Sequence, residues 1–210
     1  MDAHIGAFGE KQMITWKDLS KNLDRFGLLE NFDWSSCKSI ADIDLKGIPD
    51  KNIINVLDDY IWAKTYNEDN TIQCNAVKNL PAVEKNIYCA FRYKLEQQND
   101  GLFAVFTGYM SPLLFEIREA LREIGAVKNF SLLNEAIKKV NAQNKSEEDF
   151  LADVENEELD WLYDDETEDE YSDYLDGLDG QIYNLFFNDG EDIENLLLAY
   201  IHKNLLAEKN

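Results

Sequence analysis

An all-α fold, a compact multi-helix domain with an acidic C-terminal third, is what this sequence predicts. Three observations predict it. Apolar residues recur at intervals of three and four through most of the chain, the period of a helix with one buried face. Helix-start and helix-stop residues bracket those stretches. No run alternates with period two as a half-buried strand would, and no internal repeat appears.

Taken in order, Thr15 with Asp18 three residues on reads as an N-terminal cap. Trp16, Leu19, Leu23 and Phe26 then lie near one face, and Gly27 is the stop. Residues 28–50 are mixed, with Gly47 and Pro49 interrupting any regular element. Ile53, Ile54, Val56, Leu57, Tyr60 and Ile61 predict a helix. Pro81 suits the first turn of another, which carries Val83, Ile87, Tyr88, Phe91 and Leu95. Asn99-Asp100-Gly101 is a turn signal, and the apolar knot Leu102, Phe103, Val105 and Phe106 follows it. Ser111 is read as a cap with Pro112 at N1. The stripe Leu113, Leu114, Ile117, Leu121 and Ile124 ends at Gly125. Leu132, Leu133, Ala136, Ile137 and Val140 continue the pattern. Ser146 to Asp149 and Thr167 to Glu170 fit capping boxes, and the last helix runs Ile193, Leu196, Leu197, Tyr200, Ile201, Leu205.

The charge is unevenly placed. Residues 146–202 hold 21 Asp and Glu and no Lys or Arg, while the rest of the chain holds the other 21 acids and all 20 basic residues. The net charge of −22 is thus −21 in this segment and −1 elsewhere. Such self-repulsion costs stability, so the segment is either a disordered tail or a surface whose field is used. Disordered acidic tails are poor in aromatics. This segment carries Phe150, Trp161, Tyr163, Tyr171, Tyr174, Tyr183, Phe186 and Phe187, which argues for packed helices. Trp161 and Tyr163 flank the densest run, Asp164 to Glu170, and are candidate rim contacts for a partner. As helix, 57 residues span roughly 85 Å. Folded once, that places 21 charges along about 43 Å, one per about 2 Å, against about 1.7 Å for B-DNA.

Chemistry is harder to find. An EF-hand loop begun at Asp165 would place Thr167, Asp169 and Asp176 well, but Glu170 stands where glycine is required. His4 and His202 are the only histidines, and Cys37, Cys74 and Cys89 lack ligand spacing, so no metal site and no cofactor is expected. His202, in the last turn of the final helix, reads as structural. No phosphate loop, nucleophile elbow or dinucleotide motif is present, and no catalytic residue is nominated. Paired carboxylates such as Asp164 and Asp165 arise by chance among 42 acids. Three cysteines without pairing spacing predict reduced thiols. The first residues lack a basic n-region and an apolar h-region, and no run reaches membrane length, so the expected location is cytoplasmic. A pI near 4.3 argues against binding nucleic acid or anionic membrane directly and favours a basic protein partner.

From about Leu80 to the C-terminus, three blocks carry a resemblance. The first is Glu96-Gln-Gln-Asn99-Asp100-Gly101-Leu102-Phe103-Ala-Val-Phe106. The second is Glu119-Ala-Leu-Arg-Glu-Ile124-Gly125-Ala126. The third is Leu175-Asp-Gly-Leu178-Asp179-Gly-Gln-Ile-Tyr183-Asn-Leu185, followed by Leu196-Leu-Leu-Ala-Tyr200-Ile201. In this order they resemble the bacterial DNA-mimic protein family of the DMP type. The first block departs from the family pattern, with Asp100 in place of a glycine and Leu102 inserted before the aromatic. The resemblance implies an all-helical, dimer-forming protein whose acidic surface imitates duplex DNA and sequesters a transcription factor. Residues 1–79, an N-terminal helical region, lie outside it and are expected to pack with 80–210 as one unit.

The function expected is therefore a non-enzymatic DNA mimic that binds a basic DNA-binding protein and competes with its DNA. The alternative is an immunity or antitoxin-type protein that neutralises a basic toxin or nuclease. The nominated surface is Glu157, Glu158, Asp160, Asp164, Asp165, Glu166, Glu168, Asp169, Glu170, Asp173, Asp176 and Asp179. An enzyme would need an acidic pocket rather than an acidic ridge.

Overall fold

Residues 87–91 of the chain are buried without a break, which a helix achieves only when neighbours cover it on all sides. They belong to α4, Ala82–Asn99, the central helix of the computed structural model, which describes residues 13–22, 29, 32–156, 159, 165–187 and 190–207. The side chains of 165–170, 172 and 187 lie outside that description. The described residues form ten α-helices and no strand. A single parallel bridge between Ile14 and Ile43 is their nearest approach to a sheet.

Before α4 come α1 (Trp16–Leu19), α2 (Asp50–Thr65) and α3 (Asn70–Lys78). After it come α5 (Gly101–Thr107), α6 (Leu114–Ile124), α7 (Val127–Val140), α8 (Glu147–Glu155), α9 (Asp165–Phe187) and α10 (Ile193–Ile201). Around α4 pack α2, α5, α6, α9 and α10. A second layer forms where α7 lies against α6 and α9, while α8 and α3 close over the turn Ser111–Leu113. One apolar cluster runs through all of them, from Ile14 to Ile201.

Several expected elements stand as read. The α2 stripe is buried from Ile53 to Ile61, and Pro81 sits immediately ahead of α4. Gly125 ends α6 in the left-handed region at φ 86°, and the Ala126 N–H reaches back to the Leu121 carbonyl at 2.8 Å. Ser146 caps α8, accepting from the Asp149 N–H at 3.1 Å.

Others need correction. The helix expected from Thr15 towards Gly27 is four residues long in α1, although Asp18 does accept from the Thr15 N–H; Leu23, Phe26 and Gly27 lie outside the described residues. The apolar knot after Gly101 is the short helix α5. Ser111 caps nothing: it opens a 3-10 turn, and α6 starts only at Leu114. Thr167 lies inside α9 rather than ahead of it, because the helix already begins at Asp165. The sequence reading passed over α3, which Asp69 caps by accepting from the Thr71 and Ile72 N–H groups. After Ile201 the chain widens into a π turn, His202–Leu206, where His202 Nε2 lies 3.0 Å from Asp50 Oδ1 and ties the last helix to the start of α2.

Candidate partner-binding surface

Twenty-three helical residues make α9 about 35 Å long. Leu175, Leu178 and Ile182 are buried, with Tyr171, Tyr174, Leu185 and Phe186 half-buried beside them, so the stripe at three- and four-residue intervals faces inward onto α4, α5 and α7. Two tyrosines fix the seam with α7. Lys139 lies 4.7 Å and 5.3 Å from the ring centres of Tyr171 and Tyr174, and the Tyr174 hydroxyl donates to Glu135 at 2.7 Å. The opposite face of α9 exposes Asp173, Asp176, Gly177, Gly180, Tyr183 and Asn184. Among the described residues no cation forms an ion pair with Asp173 or Asp176.

Acids on either side of α9 are differently placed. In α8, Glu147 pairs with Arg118 at 2.7 Å, Asp153 with Lys145 at 2.6 Å and Glu155 with Lys78 at 3.3 Å. In α10, Glu194 pairs with Lys94. Asp192 caps α10 by accepting from the Glu194 and Asn195 N–H groups. Glu191 is buried at the start of α7. It accepts from the N–H groups of Lys128 and Asn129, each at 2.7 Å, and from the Asn129 side chain at 2.9 Å. Carboxylates at helix N-termini answer orphan N–H groups and the positive end of the dipole. These six acids are structural, and their charge is balanced locally.

Asp179 is a special case. It is half-buried, and its Oδ1 accepts from the Leu102 N–H at 2.9 Å, capping α5. Gly101, at φ 71°, makes room for it: a Cβ on Gly101 would overlap the carboxylate, with Asp179 Cγ only 2.9 Å away. With its nitrogen turned towards Asp179, the Gln97 amide donates to Oδ1 at 3.1 Å and accepts from the Leu102 N–H at 3.1 Å. Burial, and to a lesser degree the Asp176 charge, push this carboxyl up to about 6, against the lowering effect of the Leu102 N–H. The first and third sequence blocks therefore touch here, which explains why an Asn-Asp-Gly turn and a Leu-Asp-Gly helix occur in one chain.

Of the twelve nominated residues, Glu157, Glu158, Asp160 and Asp164 lie outside the described residues, as do Trp161 and Tyr163. Asp165, Glu166, Glu168, Asp169 and Glu170 form the first turns of α9, and their side chains lie outside the description. Asp173 and Asp176 are exposed on one face, and Asp179 is turned to the α4–α5 elbow. Sequence reasoning missed the structural roles of Glu191 and Asp192. Asp192 stands directly before an apolar-periodic run, a cap signal that was legible. The partners of Glu191 are 62 and 63 residues away and left no local trace.

No group of three His, Cys, Asp or Glu among the described residues could hold a metal ion. A cavity between α2 and α4 is lined by Asn55, Asp58, Asp59, Trp62, Phe91, Arg92 and Leu95. Both oxygens of Asp58 are held there by the Arg92 fork, at 3.0 Å from Nε and 2.8 Å from Nη2. Burial outweighs that pairing and leaves the Asp58 carboxyl at about 6. No described helix is long and apolar enough to cross a membrane.

No curated protein and no solved structure matches the chain. A family model described as DMP19-like protein matches residues 78–204, which begin at the end of α3 and take in α4 to α10. That span covers all three sequence blocks, the α9 face and the elbow that Asp179 caps. With more than half of its length matched, the chain belongs to the family of DMP19-like proteins.

Proposed function

We propose that this protein is a non-enzymatic DNA mimic whose α9 ridge binds a basic DNA-binding protein in place of DNA. The observation that carries the reading is the sorting of the acids. Apart from the exposed Glu148, the acids of α8 and α10 are paired or capping, whereas Asp173 and Asp176 stand exposed on α9 with no cation paired to them among the described residues. Positions 169 and 166 fall four and seven residues before Asp173, the helical register of the same face. The length of α9, about 35 Å, is close to one turn of B-DNA, about 34 Å. Arg and Lys side chains that grip phosphates would meet carboxylates instead, and the net charge of −22 would steer the encounter. The partner is a DNA-binding regulator in this reading, and membership of the DMP19-like family supports it. In the cavity between α2 and α4, both oxygens of Asp58 are engaged by Arg92, which favours a structural role for that carboxyl.

The test is capture of the partner from source-cell extract at low and at moderate salt, followed by binding kinetics with the isolated partner. Replacing Asp164, Asp165, Glu168 and Asp169 together by Lys is expected to slow association far more than it lowers stability, since exposed charges contribute little to the fold. A captured nuclease or toxin would replace the regulator reading by an immunity one. Association that is equally fast in the quadruple variant would remove the 164–169 cluster from the recognition surface, and wild-type association indifferent to salt as well would end the mimicry reading.

A further inference from the structure

We propose that the open end of the α7–α9 seam is a docking groove for one helix of the basic partner, a helix with Arg or Lys in its first turns and an apolar side chain about three turns later. The inference rests on the ridge reading above and adds what holds the partner once charge has brought it in. A groove of about 280 Å³ lies between Lys128, Ser131 and Leu132 of α7 and Gln181 and Leu185 of α9. Spacings of three and four residues put these side chains on the facing sides of their two helices. The two leucines are half-buried and the other three side chains exposed, so the bottom of the groove is apolar. The rim carries Val127, four residues before Ser131 and, at 67%, the most exposed large hydrophobic side chain of the described residues.

Size and charge say what covers it. The groove is smaller than the roughly 300–1,000 Å³ of small-molecule sites and suits a side chain of a larger partner. The two helices run antiparallel: Lys139 of α7 lies beside Tyr171 and Tyr174, and Lys128 beside Gln181 and Leu185. Along the exposed side of the seam the charge changes sign. Asp173 and Asp176, with no cation paired to them among the described residues, lie about 18 and 14 Å before Leu185 along the α9 axis. Lys128, with no acid paired to its ammonium among the described residues, stands at the groove. A helix carries a positive N-terminal end and a negative C-terminal end. One laid along the seam therefore runs parallel to α9, its first turns over the two aspartates and its later turns at Lys128. Basic side chains in those first turns add to the attraction, and an apolar side chain about three turns on reaches the groove.

The ridge and the groove then act on different steps. Attraction across water sets how fast a basic partner arrives, and burial of its apolar side chain sets how long it stays. The groove thereby separates partners of equal charge: a basic helix without the apolar side chain arrives as fast and leaves sooner.

The probe is an Ala-rich peptide of about 18 residues, long enough to be helical alone, with two Arg in its first two turns and one Leu three turns later. Association and dissociation rates with the full chain are read at low salt. Replacing the peptide's Leu by Ser is expected to raise the dissociation rate roughly tenfold and leave association unchanged, the fold-change of losing most of one buried leucine. Ser131→Trp, at an exposed position, fills the groove and should erase that difference. The peptide of reversed sequence, with its Arg in the last turns, should bind several-fold more weakly, and Lys128→Gln should narrow that gap. Absence of saturable binding, equal dissociation of the Leu and Ser peptides, a difference that survives Ser131→Trp, or equal binding of the two sequence orders would each overturn the proposal. So would sedimentation showing that a second copy of the chain covers the groove and that Ser131→Trp frees it. All of these leave the ridge reading standing. An Arg-to-Gln peptide that associates as fast as the Arg peptide would instead overturn the ridge reading, and this proposal with it.

Discussion

Arg92 shows how much one buried cation can hold. It grips Asp58 through two hydrogen bonds and lies over Trp62 and Tyr88, 4.9 Å and 5.3 Å from their ring centres. Replacing it with Met leaves a buried carboxylate alone, a change that typically costs about 3–5 kcal/mol. Urea denaturation at pH 7.5 should show that loss. At pH 5 it should shrink, because an Asp58 already at about 6 with its cation titrates higher still without it and is then neutral. The sign for the wild-type residue follows: Asp58 contributes most below pH 4 and least above pH 6. An equal loss at both pH values would show that Arg92 acts by packing alone. Gly101→Ala forces φ 71° on an L side chain and displaces Asp179, so a loss of roughly 2 kcal/mol is expected in thermal melts. Adding Asp179→Ala to the same chain removes the overlap and should restore part of it.

At the scale of helices, stability rests on ends as much as on stripes. Glu191→Ala strands two backbone N–H groups and an amide at the buried start of α7, and about 2–3 kcal/mol should be lost in chemical denaturation, with Glu191→Gln losing less. The middle of α9 shows the reverse. A Cβ on Gly177 or Gly180 would meet nothing within 4 Å, so each Gly→Ala change should stabilise by about 0.5–1 kcal/mol, read as a higher melting temperature. Elements of this kind were legible to the extent that they bury a stripe. The helices α2, α4, α6, α7 and α10 each carry four or more periodic apolar residues, and all appear in the sequence. By contrast, α3 buries little besides Cys74 and Val77 and leaves Ile72 54% exposed, so only its Asp69 cap marked it. Thr167 misled because a capping-box pattern also occurs inside a helix whose start lies earlier. The acidic segment was legible as composition. Which acids are engaged was not, because Arg118, Lys78 and Lys94 lie 29, 77 and 100 residues from Glu147, Glu155 and Glu194.

For the whole molecule the governing quantity is the charge of −22 on 210 residues. Ion pairs consume cations around α8 and α10, and the described part of α9 adds Asp173 and Asp176 without pairs. The remaining repulsion acts between surface groups across water, where salt screens it with a decay length of about 30 Å at 0.01 M and about 8 Å at 0.15 M. Raising salt from 0.01 to 0.15 M should therefore raise the melting temperature of the free protein, since it relieves repulsion that folding concentrates. The same change should weaken the proposed complex by slowing association, since it screens the attraction that steers a basic partner. Opposite responses to one variable separate a charged recognition surface from a fold that merely tolerates its charge. Melting temperature and association rate, measured on the same protein across one salt series, should move in opposite directions. A melting temperature that rises while association stays constant would place recognition on the apolar surface instead, and the carboxylates of α9 would then serve only to keep the molecule apart from its own copies.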